Sequence, residues 1–131
     1  MSSYEFRLDR EGDCLIASFN GDISTHRYSE LRNDYNEIHR VLSEMEPRNI
    51  IFELAGTTFF GSLFVGLVIR ISVHAWKGGG QVAVCGLSEQ LRGLLQKLIL
   101  LDDNLNQSDR IFHCGSRREA LDLICEGTMN A

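Results

Sequence analysis

Histidines, cysteines, paired carboxylates and one helix-opening serine are the side chains that could carry chemistry in this 131-residue chain, and their spacing limits what each can do. The four histidines, His26, His39, His74 and His113, include no pair four residues apart, the interval that sets two metal ligands on one helix face. They are expected in surface or capping roles. Cys14, Cys85, Cys114 and Cys125 form no Cys-x-x-Cys pair, and each lies in or beside an apolar run, where a free thiol behaves as a small hydrophobe. Buried, reduced thiols are expected, with no metal and no redox site. Asp102-Asp103 stands among Asn104, Asn106, Gln107 and Ser108, the composition of a solvated loop and not of an acid–base pair. Gly78-Gly79-Gly80 follows a helical pattern and precedes a strand pattern, so it ends a helix, whereas a phosphate-cradling loop precedes one. No converging set of acid, base, nucleophile and metal ligand emerges, so the chain is expected to be no enzyme and to need no cofactor.

Ser62 has the more informative setting. With 100° of rotation per residue, Phe64, Leu67, Val68, Ile71 and Ala75 fall together on the side of the following helix opposite Ser62, a natural core face. Gly66, Arg70, His74 and Lys77 form a polar flank. Val65, Ile69, Val73 and Trp76 fall within about 60° of Ser62, away from the core centre. They admit two readings: cover by a neighbouring helix, or an apolar partner patch headed by the serine. Ser62 also reads two ways. Its hydroxyl can cap the helix, or it can be phosphorylated, since added negative charge near a helix N-terminus meets unpaired N–H groups and the positive end of the dipole.

The elements that position this serine follow from periodicity. Tyr4–Leu8 and Cys14–Phe19 read as strands around the turn Arg10-Glu11-Gly12-Asp13. After Gly21-Asp22, apolar residues at Tyr28, Leu31, Tyr35, Ile38, Leu42 and Met45 recur at helical steps. Pro47 stops that helix, Asn49–Leu54 is a strand, and the helix from Ser62 runs to about Lys77. Gln81–Cys85 and Ile111–His113 are strands that alternate with helices opened by Ser88 and by Ser116, the latter with Glu119 at capping-box spacing. Strand–helix alternation predicts right-handed crossovers and a mostly parallel sheet, with the N-terminal hairpin adding one antiparallel strand.

Composition bounds the function. A hydrophobic content of 44% supplies one core, and residues 1–131 are expected to form one domain. The net charge of −5 argues against nucleic acid, which requires Lys and Arg gathered on one face. Leu63–Ile69, the longest apolar run, falls far short of the roughly 20 residues that span a bilayer, and the mixed charges of residues 1–7 do not make a signal peptide. No membrane partner and a cytoplasmic location are expected.

From Cys14 to about Leu123 the chain resembles the STAS (sulphate transporter and anti-sigma factor antagonist) family. Gly21-Asp22-Ile23 is similar to the family's turn before the first helix, Asn49–Gly56 to its central strand and following loop, Gly79–Val84 to its Gly-Gly approach to the next strand, and Ser116-x-x-Glu119-Ala120-Leu121 to the start of its last helix. Members switched by phosphorylation carry Asp, Ser, Ser or Thr, Gly, an aliphatic residue and Gly at the head of the helix where this chain has Gly61-Ser62-Leu63-Phe64-Val65-Gly66. Ser62 and Gly66 match; Gly61 and Phe64 replace the acid and a glycine. The resemblance implies an α/β STAS-like fold with about five strands, the first antiparallel, and about four helices. It implies a bacterial anti-sigma factor antagonist that binds an anti-sigma factor of the serine-kinase type, or another STAS-binding signalling protein, and lets go when Ser62 is phosphorylated. The contact set it implies is Gly21, Asp22, Ser24, Thr25, Gly61, Leu63, Val65, Gly66, Ile69 and Val73. Two other readings stay open: a self-associating scaffold, such as a homodimer, that uses the same face, and a sensor holding a small molecule between the Ser62 helix and the Gly21 turn.

Overall fold

The computed structural model describes residues 4–24, 28–101 and 110–125, with residue 28 described by its backbone alone. In chain order the elements are β1 (Tyr4–Glu11), β2 (Cys14–Ile23), α1 (Tyr28–Ser43), β3 (Asn49–Phe60), α2 (Ser62–Lys77), β4 (Val82–Cys85), α3 (Glu89–Leu100), β5 (Ile111–Cys114) and α4 (Arg117–Ile124). The five strands form one sheet in the order β1-β2-β3-β4-β5. β1 is antiparallel to β2, and the remaining pairs are parallel.

The central strands are apolar at nearly every position because both faces of the sheet are covered. Alternate residues divide between two clusters. Leu15, Ala17 and Phe19 of β2, Ile50, Phe52 and Leu54 of β3, and Val82 and Val84 of β4 join the core built with α1, α2 and α3. The residues between them, Cys14, Ile16, Ile51, Ala83 and Cys85, join Ala120 and Ile124 of α4 on the other face. The first face holds the bulk: Phe19, Phe52, Phe60 and Phe64 are all buried, each contributing about 1.5–3 kcal/mol of apolar transfer. Ser88 and Ser116 cap α3 and α4 as expected, accepting from the N–H groups of Leu91 and Glu119.

Three readings of the sequence change. Gly21 and Asp22 do not leave the sheet; they belong to the end of β2, which pairs with Thr57 and Phe59 across register shifts. A bulge absorbs them, and Gly21 supplies the φ of +100° that a side chain would resist. β3 runs six residues beyond Leu54, to Phe60, so it carries the chain directly to the head of α2. The expectation of four reduced thiols holds for Cys85 and Cys114, both buried, but Cys14 and Cys125 are joined as a disulfide with Cα atoms 6.5 Å apart. No helix among the described residues is long and apolar enough to cross a membrane.

Candidate functional site at the head of α2

The extended ends of β2 and β3 bring the two sequence-predicted segments together. Ile23 pairs with Phe60, and the Gly61 N–H donates to the Ile23 carbonyl at 3.4 Å. A Cβ on Gly61 would sit 3.5 Å from Ser24 Cα, so the segment after β2 lies against the start of α2. Asp22 shapes that segment: its Oδ1 accepts from the Ser24 N–H at 2.8 Å and from the Ser24 hydroxyl. This is an Asx turn, in which a short side chain stands in for backbone. The hydroxyl bond, then the backbone bond, hold the Asp22 carboxyl below its usual range, so it stays a charged, exposed group at the edge of the site. Thr25 and His26 lie outside the described residues, as does Asp102-Asp103.

Ser62 is exposed, but it does not cap its helix. Gly61 occupies the N-cap position in an extended conformation and contributes no side-chain bond, leaving Ser62 as the first helical residue. Among the described residues its hydroxyl has no hydrogen-bond partner. The first turn holds no acidic residue, so no side chain of that turn offsets the positive end of α2.

The apolar patch is not the one the helical wheel proposes. Val65 and Ile69 are only 6% and 7% exposed, and Val73 and Trp76 are half-buried. Val65 and Ile69 belong to the main core, against which Trp76 and the α3 residues Leu91, Leu94 and Leu98 pack. A wheel drawn on one helix cannot register a second helix laid along its flank. Val65 and Ile69 are therefore withdrawn from the contact set. The exposed large apolar side chains nearest Ser62 in sequence are Leu63, 44% exposed, and Phe59, 48% exposed. Phe59 escaped the sequence reading because Thr57–Phe60 was not assigned to a strand; read as one, its alternation turns Phe60 inward and Phe59 outward. Phe64, where the family has glycine, is fully buried and meets Phe19 edge-on with ring centroids 5.0 Å apart. Its departure from the pattern is a core feature that leaves the exposed surface unchanged. Two departures alter the exposed surface: Gly61 removes a charge in front of Ser62, and Leu63 sets an exposed leucine where the pattern has Ser or Thr.

The other reactive side chains make structure. His39 and His74 stack between α1 and α2 at a centroid distance of 3.8 Å, a pairing their sequence spacing gave no hint of. Arg117 ties α4 to the sheet through Glu53, Glu11 at 3.2 Å and Asp9 at 3.8 Å. Asp13, Cys14 and Cys125 come within 4.8 Å of one another, but the bond between the two sulfurs removes two of the three from metal ligation. Burial pushes the Cys85 thiol up to about 12, the setting of an inert core thiol.

The same arrangement recurs in solved proteins. An anti-sigma-factor antagonist (STAS) domain protein from Planctomyces limnophilus is 21% identical, the match covering 92% of this chain and 97% of that one with a TM-score of 0.69. An anti-sigma factor antagonist from Mycobacterium paratuberculosis is 15% identical, covering 94% and 95% with a TM-score of 0.71. The anti-sigma factor antagonist SpoIIAA in its unphosphorylated form is 16% identical, covering 91% and 96% with a TM-score of 0.64. At these identities the likeness is one of fold. No curated protein matches the sequence. The match to the STAS domain family runs over residues 5–113, most of the chain, and with the sheet order and the placement of α2 it shows that this protein belongs to the STAS domain family.

Proposed function

We propose that the chain, acting as one domain, is a non-catalytic regulatory module of the anti-sigma factor antagonist type. Its partner is an anti-sigma factor of the serine-kinase class, or another signalling protein that grips STAS domains, in a bacterial cytoplasm. The contact surface is the Asp22–Ser24 turn with Gly21 behind it, Gly61, Ser62, Leu63, Gly66 and Phe59, with Thr25 adjoining in sequence. The observation that carries this reading is Ser62: exposed, without a hydrogen-bond partner for its hydroxyl among the described residues, and followed by the exposed Leu63. A phosphate on it would add about −1.5 to −2 charges beside the first-turn N–H groups of α2, the end of a helix that favours negative charge. The same charge would have to be desolvated against a partner's apolar surface, so the modified protein would be released. In a reducing cytoplasm Cys14 and Cys125 would stand as packed thiols. They lie on the α4 face of the sheet, opposite α2, and the docking surface does not depend on them.

The test combines modification with affinity. Incubated with ATP and an anti-sigma factor of the serine-kinase class from the same organism, the protein should acquire one phosphate, mapped by mass spectrometry to Ser62. Ser62→Ala should bind that partner as wild type does, and Ser62→Asp should bind at least about tenfold more weakly. Equal binding by wild type and Ser62→Asp would defeat the switch. A second reading, self-association through the same face, draws on the exposed Phe59 and Leu63 and on the missing acid at Gly61. It requires a concentration-dependent elution volume in the absence of any kinase.

A further inference from the structure

A cavity of about 370 Å³ opens between α1 and α2, with Ser62 and Leu63 at one end. That volume lies in the range of small-molecule sites, whose mark is an apolar floor with a few polar groups placed around it. Leu31 and Leu67, both buried, form the floor. Gly66 also lines the cavity, and a Cβ there would meet nothing within 4 Å, so part of the open space exists because this helical residue has no side chain. Tyr35, Asn36 and Arg32 line it from α1, and Arg70 lines it from α2.

Charge selects the ligand. Not one residue lining the cavity is acidic, in a chain whose net charge is −5. Arg7, Arg117 and Arg118 are all paired with carboxylates. Arg32 and Arg70 pair with no described residue. Guanidinium groups bind carboxylate and phosphate oxygens in bidentate fashion, and two of them over an apolar floor fit an anion that carries an apolar body.

We propose that the α1–α2 cavity binds a small organic anion, a carboxylate or phosphate monoester with a compact apolar or aromatic body, whose charged group lies between Arg32 and Arg70. Such a ligand would rest against Gly66 and Leu63 and screen Ser62, placing a metabolite-sized effector at the edge of the docking surface. The site differs from the place the sequence offered a sensor, between α2 and the Gly21 turn. It does not depend on modification of Ser62 or on any protein partner.

The test is an NMR titration of the ¹⁵N-labelled full chain with phenyl phosphate, phenylacetate and, as a neutral control, 2-phenylethanol. The two anions should shift the amides of residues 31–36 and 62–70 saturably, with Kd below about 1 mM, and the alcohol should bind at least about tenfold more weakly. The double variant Arg32→Gln/Arg70→Gln, altered only at exposed positions, should lose about tenfold or more for both anions while keeping the wild-type spectrum elsewhere. Gly66→Leu should fill the cavity and abolish the shifts without lowering Tm. Anion shifts spread over the other surface cations, alcohol binding equal to anion binding, or undiminished binding by the double variant would each overturn the assignment. Because no partner is present in these measurements, their failure would leave the docking reading standing, and the loss of docking would leave the cavity standing.

Discussion

The two flanks of α2 differ more than their sequences suggest. One carries Phe64, Val65, Val68, Ile69 and Ile71, all buried between the sheet and the neighbouring helices. The other carries Ser62, Leu63, Gly66 and Arg70, of which only Gly66 is less than exposed. By hydropathy Val65 and Leu63 are alike, yet one is 6% and the other 44% exposed. Apolar character therefore does not distinguish exposed surface from core on this helix; packing against the rest of the main core does. The exposed flank at the head of α2 offers a serine, a leucine and a half-buried glycine, carried by a helix whose opposite flank is buried in the main core.

The sharpest way to break this contrast is to exchange a methylene-rich side chain on each flank. Phe64→Ala removes a ring that contacts Phe19 and Phe60, and should cost about 3–5 kcal/mol in urea denaturation. Leu63→Ala, one residue away, should stay within about 0.5 kcal/mol of wild type while weakening partner binding. If the two variants were equally destabilised, the exposed flank would be part of the core. A smaller effect of opposite sign belongs to Gly66. Its Cβ site is open, and alanine is a better helix former than glycine, so Gly66→Ala should stabilise the protein by about 0.5–1 kcal/mol in the same assay. A loss of stability would mean that the position is sterically closed.

Much of the fold was legible because local periodicity and burial agree. Cys14–Phe19, Asn49–Leu54 and Gln81–Cys85 are apolar enough to declare strands covered on both faces, and the steps from Leu31 to Met45 declare a helix. What the sequence concealed was long-range. Gly21 and Asp22 disfavour strands, so the bulged end of β2 looked like a turn, and with it went the recognition that β3 must extend to Phe60 to pair with it. Val65 and Ile69 are buried in a core assembled from residues far apart in the chain, and the Cys14–Cys125 bond joins residues separated by 111. At the site, Ser62 and its exposure could be anticipated from helix phase. Phe59 required the strand extension, and the two arginines that line the α1–α2 cavity required knowing which faces of two helices meet.

The smallest effect expected lies on the α1 side of α2, where His74 stacks on His39. The Arg48 guanidinium donates to His74 Nδ1 at 3.4 Å, and the contact between His74 Nε2 and the Ser43 hydroxyl is 2.8 Å. The Ser43 hydroxyl in turn donates to the His39 carbonyl at 2.7 Å. This chain closes only if His74 is neutral with its proton on Nε2, donating to Ser43; a second proton on Nδ1 would face Arg48. Burial, then the charges of His39 and Arg48, accordingly hold the His74 pKa below its ordinary 6.5, and burial does the same for His113. A depressed folded-state pKa means that the unfolded chain takes up the proton first. Stability is thus complete above the unfolded value of about 6.5 and is lost as pH falls toward and through the lowered folded value. Thermal melts of wild type should therefore show a lower Tm at about pH 6 than at about pH 7.5, a window above the range of ordinary carboxylates. In His74→Gln the drop should shrink, leaving the part owed to His113; a drop of undiminished size would show that the His39–His74 stack carries no proton linkage.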